Sequence, residues 1–178
     1  VVHSKLNMLK AQLNPHFVFN TLNSISSLID IDKEKSQDMI TDFGDLFRDI
    51  LSLKNENLIS LKQELEMLDK YINIMTVRFE DHLTFKKNIQ NDTYDALIPV
   101  LLIQPVVENS IKHAYSFYHT DVVIHLNIFK QNDRLNIVVE NDGKSLNNGL
   151  NHLLEEGIGL KNIVDRLETL YGNGFEFD

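Results

Sequence analysis

Cysteine is absent from the 178 residues, which excludes disulfides and zinc–thiolate sites and fits a reducing compartment. Tryptophan is also absent, and there are only three prolines, at positions 15, 99 and 105. Basic residues are outnumbered, 17 Lys and Arg against 26 Asp and Glu, for a net charge of −9. With no basic stripe to neutralise a phosphate backbone, direct nucleic-acid binding is not expected. No long apolar run occurs. The densest, "IPVLLIQPVV", is broken by prolines and too short to span a bilayer, so this fragment is expected to make no membrane contact. The chain opens on Val1 without a signal-peptide pattern and is expected to be a piece of something longer. With 43% apolar residues, the chain can form one or two compact domains with real cores.

There is no internal repeat, and the two halves have different periods. Residues 4–29 read as a helix with an apolar stripe of Val18, Leu22, Ile25 and Ile29. A second stripe on that helix is polar: His16, Asn20, Asn23 and Ser27. It turns His16 toward water or a partner, and Pro15 is expected to kink the helix just before it. After the charged turn "DIDKEK", residues 36–53 align Met39, Phe43, Leu46 and Ile50 on one face. Ser60 and Gln63 make a capping box for a third helix, in which Leu61, Leu65, Leu68, Ile72, Met75 and Phe79 keep the helical period. The first two helices form a hairpin with little to bury against alone. A four-helix bundle from two chains, a homodimer, is the expected solution.

From about residue 81 the pattern becomes α+β. "HLTFKKNI" is a weak strand, and Pro99 can open a helix running to about Tyr115. "VVIHLNIF" and "RLNIVVE" alternate with period two and form an antiparallel hairpin, with a five-residue connection through "KQND" and Arg134. A loop follows from Gly143 to Gly157. The last helix starts near Leu160 and is stopped by Gly172. Helices laid on one face of a mainly antiparallel sheet are expected.

Chemistry-bearing residues cluster in this second half. "QPVVENSIKHAY" sets Asn109, Lys112 and His113 on one helix face, with a neutral oxygen for a hard cation and a point charge for phosphate. Glu108 reads two ways: as a helix ion pair with Lys112, or as a base or metal partner for a transfer. "VVENDG" ends a strand in Asn-Asp-Gly. "GIGLKN" places two glycines before a helix, where backbone amides can approach a phosphate. A solvated polar helix face explains the first motif taken singly. The order and closeness of all three argue for a nucleotide site.

On these residues the chain resembles the LytS/YehU-type sensor histidine kinases of bacteria, from about Leu9 to its end. "QLNPHFVFNTLNSI" is similar to the phosphoacceptor box and "YINIMTVRF" to a segment of the helical region. "LLIQPVVENSIKHAY" is similar to the N box, and "VENDG" and "GIGLKNIVDRLETLYG" to the two glycine boxes. The resemblance implies a helical dimerisation and phosphoacceptor domain over residues 1–80 and a Bergerat-type α/β sandwich ATP-binding domain over 81–178. It implies that His16 accepts a phosphoryl group from ATP; Asn20, on the His16 stripe, and Glu108, beside Asn109, join it as candidate catalytic residues on their positions alone. By the same resemblance Asn109 holds magnesium, Lys112 and His113 approach the phosphates, and Asn141 takes the adenine position. Gly143, Gly157, Gly159 and Leu160 complete the nucleotide-binding set. It implies as partners a homodimeric copy and a response-regulator receiver domain, often with a LytTR-type DNA-binding output. The location implied is the cytoplasmic portion of a bacterial membrane protein.

Four features depart from the family pattern. Asn141 stands where Asp is usual, and Lys144-Ser145 replaces the second glycine of the first glycine box. Pro105 stands where related ATPases carry a water-activating Glu, and the chain ends at "GFEFD", so the sheet is expected to lack its last strand. The first two leave an alternative: a dimeric scaffold that binds nucleotide or a partner without phosphoryl transfer.

Overall fold

The computed structural model describes residues 15–53, 56–80, 82–114, 121–142 and 158–178. The elements are α1 (Pro15–Leu28), α2 (Lys33–Ser52), β1 (Leu58–Ser60), α3 (Leu61–Arg78), β2 (Leu83–Ile89), β3 (Leu97–Pro99), α4 (Gln104–Ala114), β4 (Val122–Gln131), β5 (Arg134–Asn141) and α5 (Ile158–Tyr171). Contacts divide the chain into two compact units. One is Val1–Glu56 with Leu65–Asp81; the other is Asn57–Glu64 with His82–Asp178. The protein is therefore α+β, helices first and then a mixed sheet.

In the helical unit, α1 and α2 form the hairpin, and α3 from Leu65 onward supplies a third helix. The α1 stripe differs from the expected one. Phe17, Thr21 and Ile25 are buried, whereas Leu22 and Ile29 are exposed. The cause is aromatic packing: the Phe17 ring lies 6.2 Å from Phe43 and 5.3 Å from Tyr71, which turns α1 by one position. Residues 4–14 of the expected helix, and with them the kink at Pro15, lie outside the described residues. On α2, Met39, Leu46 and Ile50 are buried as the period requires. That helix starts three residues earlier than expected because Asp32 caps it, its carboxylate accepting the Lys35 N–H at 3.0 Å. The capping box at α3 is present. Gln63 Oε1 accepts the Ser60 N–H at 3.1 Å and the Gln63 N–H donates to Ser60 Oγ at 3.2 Å.

The second unit carries a three-stranded sheet of order β2-β4-β5 and a small antiparallel pair, β1 with β3. The larger sheet is mixed rather than mainly antiparallel. β2 runs parallel to β4, because a connection that includes α4 is long enough to return the chain in the same direction. β4 and β5 are antiparallel. Their connection is shorter than expected. Gln131 pairs with Arg134, leaving only Asn132 and Asp133 in the turn, both at positive φ (51° and 60°). Two such residues make the turn whose twist matches the strands, and Asn and Asp tolerate that backbone best after glycine. Pro99 does not open α4. It ends β3, and Pro105 takes the first-turn position where a missing N–H costs nothing. On β4, Val122, Ile124, Leu126 and Ile128 alternate into the core, almost wholly buried, and α4 packs across β4 and β5. Leu160, Ile163 and Leu167 of α5 form a second cluster with Leu102, Val106, Phe175 and Phe177. Residues beyond Tyr171 form no strand, and Gly172, at φ 56°, closes α5.

Candidate functional site

His16 stands exposed in the first turn of α1 as described. One helical turn on, the Asn20 amide nitrogen lies 3.0 Å from its Nδ1 and 3.2 Å from its Nε2. The spacing of four residues makes this contact possible, and it limits the rotation of the ring. An exposed ring with an amide beside it can present one nitrogen outward as a nucleophile.

In the second unit, α4 is buried through Gln104, Val107, Ile111 and Ala114. That burial turns Lys112 to solvent and leaves Glu108, Asn109 and His113 half-buried. An amide oxygen, a carboxylate, an ammonium and an imidazole on one helix suit a metal–phosphate group. Among the described residues no group of three or more His, Asp or Glu could hold a metal ion by side chains alone. A single amide oxygen such as that of Asn109 is a weak site for a hard cation unless other oxygen ligands complete the shell.

Asn141 ends β5 opposite Ile124 and is half-buried. Its neighbour Asp142 is committed elsewhere, since its Oδ1 accepts the Val123 N–H at 2.8 Å. Gly159 lies in the first turn of α5, and a Cβ added there would sit 3.7 Å from the Pro105 Cβ. The start of α5 and the start of α4 are therefore neighbours, which brings Gly159 to the helix of Asn109. The Leu160 side chain is buried in the α5 cluster, so only its backbone could face a ligand. Gly143, Gly157 and the loop between them lie outside the described residues, as do Lys144 and Ser145.

Sequence reasoning missed Glu64 and Arg166. Glu64 is 1% exposed, on the first turn of α3. Its two oxygens accept the N–H groups of Leu101 (2.8 Å) and Ile103 (2.9 Å). Burial pushes its carboxyl above the ordinary value, against the pull of those amides and of Arg166. Arg166, on α5, donates to the carbonyls of Val100 and Leu101, and its own burial lowers its pKa. A signal was present: Glu64 occupies the apolar stripe of α3, between Leu61, Leu65 and Leu68.

Residues 4–83 match the histidine kinase family model. The chain is 34% identical to the sensor protein LytS of Staphylococcus haemolyticus, over 95% of this chain and 30% of that protein. It is 33% identical to the sensor protein LytS of Oceanobacillus iheyensis, over 95% of this chain and 31% of that protein. It is 30% identical to the sensor histidine kinase/phosphatase LytS of Staphylococcus aureus, over 95% of this chain and 31% of that protein. The chain thus spans under a third of the length of these curated relatives.

Proposed function

The chain belongs to the LytS-type histidine kinases, and on that premise we propose that it is a kinase core that autophosphorylates on His16 with Mg-ATP. The phosphoryl group then passes to an aspartate of a response-regulator receiver domain. The observation that carries this reading is the exposed His16 ring with the Asn20 amide at hydrogen-bond distance, inside the box "NPHFVFN".

His16 attacks the γ-phosphorus in line through the lone pair of one ring nitrogen. An N–P bond forms, the bond from the γ-phosphorus to its bridging oxygen breaks, and that electron pair leaves with ADP. The proton on the other ring nitrogen is then free to go. Asn20, with its amide turned to present oxygen, accepts a hydrogen bond from that N–H and selects the reactive tautomer. The transition state is loose, so positioning and charge neutralisation are the main tasks. Lys112 and His113 would face the phosphates, Asn109 would hold the magnesium ion, and Asn141 would accept from the adenine amino group. Gly143, Gly157 and Gly159, with the Leu160 backbone, let the chain approach the nucleotide closely. Magnesium supplies charge neutralisation at the phosphate oxygens. Glu108 serves as a base or metal partner for the transfer.

Two copies pair through the helical unit, and the receiver partner carries a LytTR-type DNA-binding output. Among the described residues no helix is long and apolar enough to cross a membrane. We place the chain as the cytoplasmic portion of a bacterial membrane sensor. Asn141 favours a second reading, a scaffold that binds nucleotide without transfer, because a neutral amide accepts more weakly than a carboxylate.

One experiment separates the two. The chain is incubated with γ-labelled ATP and magnesium, and the label is tested for acid lability and base stability. Wild type should carry such label and His16→Gln should carry none while still binding ATP. Normal labelling of His16→Gln sinks the acceptor assignment. Nucleotide binding by the wild type with no label on the protein selects the scaffold.

A further inference from the structure

We infer that Glu64 is a positioning residue for the nucleotide site of the second unit, acting through the four residues that aim α4; the inference rests on the ATP-binding reading above. Those residues, Val100–Ile103, connect β3 to α4 and belong to no strand or helix. Leu101 sits at φ 54°, a backbone region that side chains other than glycine occupy at a cost. Val100, Leu101 and Ile103 are nonetheless buried, so their peptide groups need partners within the protein.

Both sides of the segment are held by side-chain hydrogen bonds. From α3, the Glu64 carboxylate takes the amides of Leu101 and Ile103, one on each oxygen. From α5, the Arg166 guanidinium takes the carbonyls of Val100 and Leu101. Ile103 is the hinge of the arrangement, because its carbonyl accepts the N–H groups of Val106 and Val107 and so starts α4. Holding the Ile103 amide therefore sets where α4 begins and how it is turned, and Asn109 lies six residues further on. Arg166 extends the clamp to α5, the helix with Gly159 in its first turn.

Stability alone does not call for this arrangement. A carboxylate with almost no solvent contact costs more to bury than an apolar side chain of the same size. What the carboxylate adds is direction: two fixed acceptors for two amides that would otherwise be unpaired. A hydrocarbon could fill the space without defining the backbone.

Glu64→Gln tests this with little change in volume. Its amide can accept one N–H but sets a donor against the other. Arg166→Lys tests the carbonyl side, where one ammonium replaces a fork. Leu126→Ala, in the sheet core, is the control for lost stability. Mg-ATP affinity is measured by calorimetry at low temperature on folded protein, and amide exchange over residues 101–110 by mass spectrometry. Glu64→Gln should weaken Mg-ATP binding by about tenfold or more and speed exchange in that segment. Arg166→Lys should shift both in the same direction, and Leu126→Ala should leave affinity within about twofold. Affinity of Glu64→Gln within about twofold of wild type overturns the inference, as does an equal loss in Leu126→Ala. If Glu64→Gln does not fold, Arg166→Lys decides by the same criterion. A wild-type chain that binds no Mg-ATP overturns the ATP-binding reading and this inference together. Normal binding in wild type and in the clamp variants overturns this inference alone.

Discussion

The two units dispose of their apolar residues differently. In the second unit a single strand, β4, hides four branched or leucine side chains almost completely, because alternate residues of a strand all point at the helix laid over them. In the helical unit, Phe19, Leu22, Ile29, Ile31, Ile40 and Leu51 are large, apolar and exposed. Phe19, at 67% exposure, is the clearest case on α1. α1 and α2 each turn one stripe inward and still carry apolar residues on another side, Phe19 and Leu22 on α1 and Ile40 and Leu51 on α2. A covered sheet face can be finished by one chain. A small helical unit with apolar residues on two sides has surface left over, and a second copy is the occupant we propose for it.

Leu126→Ala should show the largest effect, since it opens a cavity in the finished core. We expect a loss of about 2–5 kcal/mol in the second unit, read by urea denaturation. A loss below about 1 kcal/mol would mean that this core is looser than its burial indicates. Phe19→Asp probes the other side of the comparison. It should weaken self-association about tenfold or more, or about 1.4 kcal/mol, by sedimentation. It should leave nucleotide affinity untouched, and unchanged association would remove this face from the dimer. Next comes Asp32→Ala, which removes the α2 cap and should cost about 1 kcal/mol, seen as helical signal lost at lower temperature.

The smallest effect is a pH dependence confined to the second unit. The Glu64 carboxyl is raised above its ordinary 4.5, with burial the first cause. The folded chain therefore holds this proton more tightly than the unfolded chain. Stability from this group is present in full below about 4.5 and is lost as pH rises through the raised folded value. Denaturation midpoints over about pH 4–8 should show this falling component in wild type and not in Glu64→Gln. A constant difference between the two proteins would contradict it.

Local signals in the sequence are legible where the interaction itself is local. The Ser60–Gln63 capping box spans three residues, and its hydrogen bonds are present. The α2 stripe and the alternation of β4 follow from period alone; Met39, Leu46 and Ile50 are buried, Phe43 of the same stripe is half-buried, and the alternate β4 residues are buried. The exposure of His16 followed from the polar stripe of α1. The turn at Asn132–Asp133 was harder, because adjacent strands and a longer loop use the same residue types, and only pairing counts the residues between them.

What the order of residues determined by itself was the five helices, the three longer strands, the Ser60–Gln63 cap, the kinase motifs and the family. Each of these is set by neighbours within a few positions of the chain. Tertiary structure alone decided three things. It turned α1 onto Phe17, because Phe43 and Tyr71 come from other helices. It made β2 parallel to β4, because direction depends on where the intervening helix packs. It also set Glu64, Arg166 and the Val100–Ile103 segment together across sequence separations of 37 to 66 residues. A buried carboxylate finds its partners only when distant backbone is folded around it, and no periodicity in the sequence names those partners.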